Sequence, residues 1–369
     1  MKSLIASIFS LALFLFVNTL QANNTPLKAN FKTGNPGITS INTMTFGPEG
    51  ILFIGDSKSA QIIAIDLSSD PQADNTKVKL DNLDNVIADM MGTTIDQIQI
   101  TDMAVNPQNN NIYLSIYHSS GLPILLKVDT NILKQIPLEN VSYSKTILQN
   151  AVNEEAKDRR GRKLRRWAIS DMSYTNGKIM VSGLSNQEFA STFRSIEFPF
   201  NNKQDYSSLE IYHAAHGKYE THSPIKTFIT TNVNGTPNVV AGYTCTPLVL
   251  FPMDEIKTAK HQKTRTVAEL GSGNSPVDMI EVGSDGKRFL LIANSNRPLM
   301  KLDFKDLEAY KGSLTTKTVK KAASEGVDYV SLPYVNVQQL DKFKDSFLYI
   351  QRESNGNLAL KTGNSFWIK

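Results

Sequence analysis

Three groups of side chains in this chain have the types and spacing for chemistry. The first is imidazole and thiol. His213, His216 and His222 are three of only five histidines, and Cys245 is the sole cysteine. His213 and His216 stand three residues apart in Ile211-Tyr212-His213-Ala214-Ala215-His216. Imidazoles with a thiolate are a ligand set for zinc or copper. A solvated loop with Cys245 as a small inert hydrophobe satisfies the same pattern. The second group is Asn42, Asp102, Asp171 and Asp278, each beside a Met or one residue from it, as in Thr101-Asp102-Met103 and Val277-Asp278-Met279. Oxygens repeated in this way can surround a hard cation such as Ca²⁺. They can equally accept hydrogen bonds from neighbouring backbone, as a structural device that repeats with the unit. The third group is the basic run Arg159-Arg160-Gly161-Arg162-Lys163-Leu164-Arg165-Arg166, leading into Trp167. Arg162, Arg165 and Arg166 suit an anionic ligand: a carboxylate, a phosphate, an anionic polysaccharide or an acidic protein. Asn186, Glu188 and Arg194, on the long connection 183–194, and Asn296 and Arg297 are placed to join them. The plainer alternative for the basic run is a solvated loop, and for Glu188 and Arg194 a surface ion pair.

These groups are positioned by a unit that recurs six times. Its second apolar run aligns as ILFIGDS (51–57), IYLSIYHSS (112–120), KIMVSGLSN (178–186), NVVAGYTCT (238–246), FLLIANSN (289–296) and FLYIQRESN (347–355). The copies are spaced roughly 50–70 residues apart, the range of a four-stranded blade with some long loops. The runs are short, rich in β-formers and bounded by Gly, Pro, Asn and Asp, and Thr175-Asn176-Gly177 and Ser284-Asp285-Gly286 read as hairpin turns. The pattern predicts an all-β chain, a single six-bladed β-propeller with short helical insertions between blades. The blades are expected at 40–90, 99–145, 167–212, 225–260, 276–320 and 335–369. Helices are expected over Asn85–Met91 and over Ser144–Arg160. Ring closure falls to residues 25–39, adding an outer strand to the last blade, or to Ser365–Lys369.

The Asp-Met units, the hairpins and the runs ending in Gly-Asp-Ser or Ala-Asn-Ser resemble secreted six-bladed propellers of the NHL, YVTN and SMP-30/gluconolactonase-like group. The SMP-30-like members are metal-dependent lactonases or esterases with one divalent cation on the propeller axis. That resemblance implies a cation site at Asn42, Asp102, Asp171 and Asp278.

Residues 1–22 read as a secretory signal, with Lys2 at its start, an apolar stretch from Leu4 to Val17 and a Leu20-Gln21-Ala22 cleavage site. The apolar stretch is about 14 residues, short for a membrane span, and no later stretch is long enough to follow it. Residues 23–369 then form one domain with a periplasmic or secreted address. A single cysteine excludes an internal disulfide, so stability must come from burial and ring closure. A net charge of +4 and a basic run without interleaved aromatics argue against nucleic acid. The chain holds no Gly-x-Ser-x-Gly elbow, P-loop, dinucleotide fingerprint or Cys-x-x-Cys-His haem site. The first expectation is therefore an exported binding or scaffold protein that recognises a protein partner or small anionic ligand on one face. The second is a metal-dependent hydrolase with an axial cation. The third is a zinc- or copper-handling protein using His213, His216, His222 and Cys245.

Overall fold

The second run of each repeat is largely apolar because it forms a strand covered on both faces over most of its length. Ile51–Asp56 is buried at all six positions, and Thr236–Tyr243 is buried from Asn238 onward. A strand between two neighbouring sheets has no solvent face, so its sequence shows no alternation. Tight hairpins join these strands to the inner ones. Asn176-Gly177, Asn234-Gly235 and Asp285-Gly286 all take positive φ at both residues, the backbone that matches strand twist in a two-residue loop. The computed structural model describes residues 26–318 and 324–369. The expected signal segment, 1–22, lies outside the described residues.

Six sheets result, each a blade of at least four strands, antiparallel throughout except where Lys260–Lys263 pairs in parallel with Gln204–His213 at the edge of blade 3. The inner, second and third strands of each blade follow one another in the chain. Blade 1 has Thr43–Phe46, Ile51–Asp56 and Gln61–Asp66. Blade 2 has Ile98–Val105, Ile112–His118, Pro123–Asp129 and Ile132–Ile136. Blade 3 has Asp171–Thr175, Lys178–Leu184, Ser191–Glu197 and Gln204–His213. Blade 4 has Ile225–Val233, Thr236–Tyr243, Pro247–Pro252 and Arg265–Glu269. Blade 5 has Pro276–Ser284, Lys287–Asn294, Met300–Asp303 and Val330–Ser331. Blade 6 has Val337–Phe343, Ser346–Arg352 and Leu358–Thr362.

The blades are not arranged around the axis in chain order. One apolar core joins blade 1 to blade 2, and another joins blade 1 to blade 3. Blade 2 packs on its other side against blade 6. Cores between blades 3 and 4, 4 and 5, and 5 and 6 complete the ring. The spatial order is therefore 2-1-3-4-5-6, with the first two blades exchanged. Consecutive elements are spatial neighbours only about two-thirds of the time, and here the exception has a visible cause. Residues 67–78 leave blade 1 and cross the end of blade 2. Asn111 accepts from the Ala73 N–H at 2.7 Å and donates to the Pro71 carbonyl at 3.0 Å. Asn75 donates to the Val128 carbonyl at 3.1 Å, and Asp70 takes both Lys127 and the Tyr113 hydroxyl. The chain then supplies Lys79–Leu80 as the outer strand of blade 6, paired with Leu360 and Lys361. After blade 2 it returns to pair Val141–Ile147 with Gln61–Ile65 as the outer strand of blade 1.

Three expectations are corrected. The ring is closed by two internal strands and by neither terminus: Lys32–Gly34 extends blade 1, and Ser365–Ile368 is a 3-10 turn whose Ile368 joins the core between blades 5 and 6. Residues 141–145 belong to blade 1, not blade 2, and the outer strand of blade 4 is Arg265–Glu269, beyond residue 260. The expected helix over Ser144–Arg160 is absent. Val141–Ile147 is a strand, because the open edge of blade 1 offers backbone partners that a surface helix would leave unpaired. The helix expected at Asn85–Met91 is present as Leu83–Met91, and a second short one, Phe304–Ala309, is capped by the Asp303 carboxylate.

Two glycines show how closely the blades approach. Gly55 and Gly242 occupy the same register in their second strands, opposite Thr43 and Thr227. A Cβ at Gly55 would lie 2.9 Å from side-chain carbons of Ile169 and Thr43, and one at Gly242 would lie 2.7 Å from the Pro276 ring. In both cases the contact includes the lead-in to the next blade in space.

Candidate functional site

The connections leading into the inner strands of blades 3, 4 and 5 converge on one face. With the loop 158–166 and the hairpin after Gln204–His213 they enclose a cleft of about 930 Å³. Its wall holds Arg159, Arg162, Arg166, Lys218 and Lys226, with His216 and His222, against two carboxylates, Asp158 and Glu220. Both carboxylates are already engaged. Asp158 accepts from the Arg160 and Arg162 N–H groups and from Arg162 Nε at 2.7 Å. These bonds, the Arg162 backbone first, hold its carboxyl below the usual range. Arg166 and Lys226 lie 5.2 Å and 6.0 Å from the centre of the Trp167 ring, and neither forms a salt bridge with a carboxylate among the described residues. Lys226 also lines an adjoining cavity of about 850 Å³ that reaches Gln99, Thr101, Gln339 and Arg352.

Of the residues expected to contact an anion, Arg162 and Arg166 lie on this wall. Arg165 donates to the Val152 carbonyl at 2.7 Å and the Lys58 carbonyl at 3.2 Å, which fixes the loop. Arg194 is buried in blade 3. It donates to the Gln149 carbonyl at 2.6 Å and stacks on Tyr206, and burial lowers its pKa to about 10. Asn186 accepts from the Gln187 side chain and donates its backbone N–H to Asn150, while Glu188 is exposed. Asn296 donates to the Gly273 carbonyl at 2.5 Å, and Arg297 stands beside it on the loop after Lys287–Asn294.

The histidines gather at the edge of the cleft. One ring nitrogen of His213, one of His216 and the Cys245 sulfur all lie within 4.8 Å of one another. His222 is outside this group, exposed, with Nδ1 2.8 Å from the Thr221 hydroxyl. Glu220 holds both other rings: its oxygens lie 3.1 Å from His213 Nδ1 and 2.7 Å from His216 Nδ1. Burial alone would lower the pKa of His213, but hydrogen bonds to Cys245 and Glu220 outweigh it and lift it to about 9. Burial works against Glu220 in the same way, yet the two imidazoles hold its carboxyl down at about 2.

The aspartates line a third cavity, about 540 Å³, on the axis. By register the position is occupied, going round the ring, by Thr43, Asp171, Thr227, Asp278, Gln339 and Asp102. Asn42 is one residue away, and its side-chain oxygen accepts from Ser40 and the Ser57 N–H instead. Each aspartate uses one oxygen for the N–H of its own following Met, at 2.7–2.9 Å. The other oxygen accepts from the inner strand of the neighbouring blade: Met44 to Asp102, Phe228 to Asp171 and Leu340 to Asp278, at 2.5–2.8 Å. The carboxylates thereby pin adjacent blades together. Burial, then charge repulsion from Asp171, pushes Asp102 up to about 8, and burial pushes Asp171 up to about 6. Burial and the Asp102 charge push Asp278 well above the carboxylate range.

Sequence reasoning missed Asp341, Glu220 and Lys226. Asp341 makes the same kind of inter-blade bond, to the Val105 N–H at 2.6 Å, and burial raises it to about 7. It sits two residues below the ring in register, so the Asp-Met echo does not mark it. Lys226 stands one residue before the axial position Thr227, the place that Asn42 and Thr101 occupy before Thr43 and Asp102 in their own blades.

No protein-family model matches the sequence, and no curated protein does. Solved structures match at low identity and low TM-score. The β-propeller domain of Myceliophteria thermophila Cps50 (Swd1) is 9% identical, with 87% of this chain and 82% of that chain covered and a TM-score of 0.36. Drosophila Plexin A, solved in complex with Semaphorin 1b, is 9% identical over 90% and 88%, with a TM-score of 0.37. Chaetomium thermophilum Raptor is 11% identical over 91% of this chain, with a TM-score of 0.35, and this chain spans only 26% of it. The class of this protein, an all-β six-bladed propeller, is defined by its own sheet topology. Among the described residues no helix is long and apolar enough to cross a membrane.

Proposed function

We propose that this chain is a binding protein that takes an anionic ligand in the basic cleft between blades 3, 4 and 5. One observation carries the reading: Arg166 and Lys226 stand beside the Trp167 ring without a salt bridge among the described residues, on a wall whose two carboxylates are already engaged. An indole ring with two cations beside it suits a ligand with a flat body and a carboxylate or phosphate group. The axial aspartates do not enter this reading, because both oxygens of each serve backbone donors.

The test is calorimetric titration at low salt with citrate, inorganic phosphate and glucuronate as probes. A hydrogen bond to a charged group contributes about 1.5–3 kcal/mol. The Arg166→Ala/Lys226→Ala double variant is therefore expected to weaken the best probe by about tenfold or more. Added salt should weaken the wild type in the same direction. Equal affinity in wild type and double variant would overturn the reading, as would the absence of binding by all three probes.

A further inference from the structure

The arrangement around Glu220 asks for something its own hydrogen bonds do not supply. His213 is wholly buried, and its Nδ1 faces Glu220. Its Nε2 lies 3.4 Å from the Thr246 hydroxyl, beyond the usual range for a good hydrogen bond, and the ring also bonds the Cys245 thiol. His216 repeats the pattern, with Nδ1 on the other oxygen of the same carboxylate. With the carboxylate accepting, both rings donate from Nδ1, and Nε2 is the nitrogen left to ligate a metal, giving up any proton it holds when the ion binds. A carboxylate that orients an imidazole through Nδ1 is the usual support behind a metal-ligating histidine. Here one carboxylate orients two, and the only thiol in the chain completes a group within 4.8 Å.

We propose that His213, His216 and Cys245 form a zinc site supported by Glu220. Two imidazoles and a thiolate are a borderline-soft set that favours zinc over calcium or magnesium. Tetrahedral zinc with bonds of about 2.0–2.3 Å needs ligand atoms about 3.5 Å apart. The group must therefore close by about an ångström, within reach of side-chain rotation at half-exposed His216. Three protein ligands leave the fourth position to water or another small ligand. His216 and Glu220 also stand on the cleft wall, which gives the ion a route from solvent. The site does not depend on anion binding, since Arg166 and Lys226 touch none of its members.

The experiment is titration of the metal-free full chain with Zn²⁺ against a chromophoric chelator, with Co²⁺ as a spectroscopic substitute. One zinc per chain is expected. The cobalt form should show the strong visible bands of a tetrahedral site and a thiolate-to-metal charge-transfer band in the near ultraviolet. Cys245→Ser should abolish the charge-transfer band and weaken zinc by at least tenfold. Glu220→Gln should weaken zinc about 10–100-fold, as loss of a supporting partner does. His213 is too deeply buried for a safe variant, so His216→Ala stands in for it, with far-ultraviolet circular dichroism as the check on folding. Arg166→Ala/Lys226→Ala should bind zinc as the wild type does, which separates failure here from failure of the anion reading. Substoichiometric zinc, or a cobalt spectrum unchanged by Cys245→Ser, would overturn the proposal.

Discussion

Phe53→Ala is expected to destabilise the fold by about 3–5 kcal/mol, the range for truncating a buried aromatic. Phe53 is fully buried in the second strand of blade 1. Its ring lies 4.8 Å from Phe198 edge-on, 5.8 Å from Tyr174 stacked, and 6.4 Å from Phe200. All three partners are in or directly after strands of blade 3. A Cβ on Gly47 would come within 2.6 Å of the Phe53 ring, so little space remains for the site to collapse after truncation. Phe366→Ala, at a position 69% exposed, is the control and should stay within about 0.5 kcal/mol of wild type in urea unfolding. The same residues test the order of the blades. In a ring arranged in chain order, blade 2 would separate Phe53 from Phe198. Here the two rings touch, so a double-mutant cycle of Phe53→Leu and Phe198→Leu should return a coupling of about 0.5–1.5 kcal/mol. Additive effects would mean that blades 1 and 3 are not neighbours.

That order could not be read from the repeats. The six second strands look alike because each meets the same demand, burial on both faces, and any cyclic order meets it equally. What distinguishes the order is the polar stitching of residues 67–78 to blade 2: Asp70 with Lys127 and Tyr113, Asn75 with Val128, Asn111 with Pro71 and Ala73. None of these has a periodicity, so each reads locally as a loop residue. The helix expected over 144–160 failed for a related reason. Ile147, Leu148 and Val152 have helical spacing, but Ile147 is 68% exposed while Leu148 and Val152 enter the core between blades 1 and 3. The pairing edge of blade 1 overrode the local pattern. At the candidate sites the residue types were legible and their pairings were not. The nearness of His213, His216 and Cys245 follows from a hairpin and a neighbouring blade, and Glu220 looks like any acidic residue until that hairpin brings it beneath both imidazoles. Arg194 and Arg165 show the converse. A long cation in a basic stretch reads as ligand-binding, yet both spend their donors on loop carbonyls.

Asp102→Asn is expected to reverse its effect on stability between mild acid and mild base. In the unfolded chain an aspartate titrates near 3.9. In the fold, burial raises Asp102 to about 8, with a further contribution from the Asp171 charge and a smaller one from Asp341, against the Met44 and Met103 N–H groups. The native state therefore holds the proton more tightly than the unfolded state. Its contribution to stability is complete below about pH 4 and is lost as the pH rises to about 8. At 1.36 kcal/mol per unit, that loss is on the order of 5 kcal/mol. Asparagine cannot ionise, but it places an amide N–H₂ where one carboxyl oxygen met a backbone donor, a cost of about 1–3 kcal/mol at every pH. Urea midpoints should therefore place Asp102→Asn below wild type at pH 4 and above it at pH 9. Asp171, raised only to about 6, should give a smaller crossing confined to lower pH. The difference between the two follows from the Asp171 charge that raises Asp102, whereas Asp171 is held down by the Phe228 and Met172 N–H groups, the Thr227 hydroxyl and, least, the Lys226 charge. His213, raised to about 9, also loses stabilising protonation in base, but it does so equally in both variants and cancels from the comparison. Parallel curves without a crossing would mean that burial, with the Asp171 charge behind it, does not raise the Asp102 carboxyl in the fold.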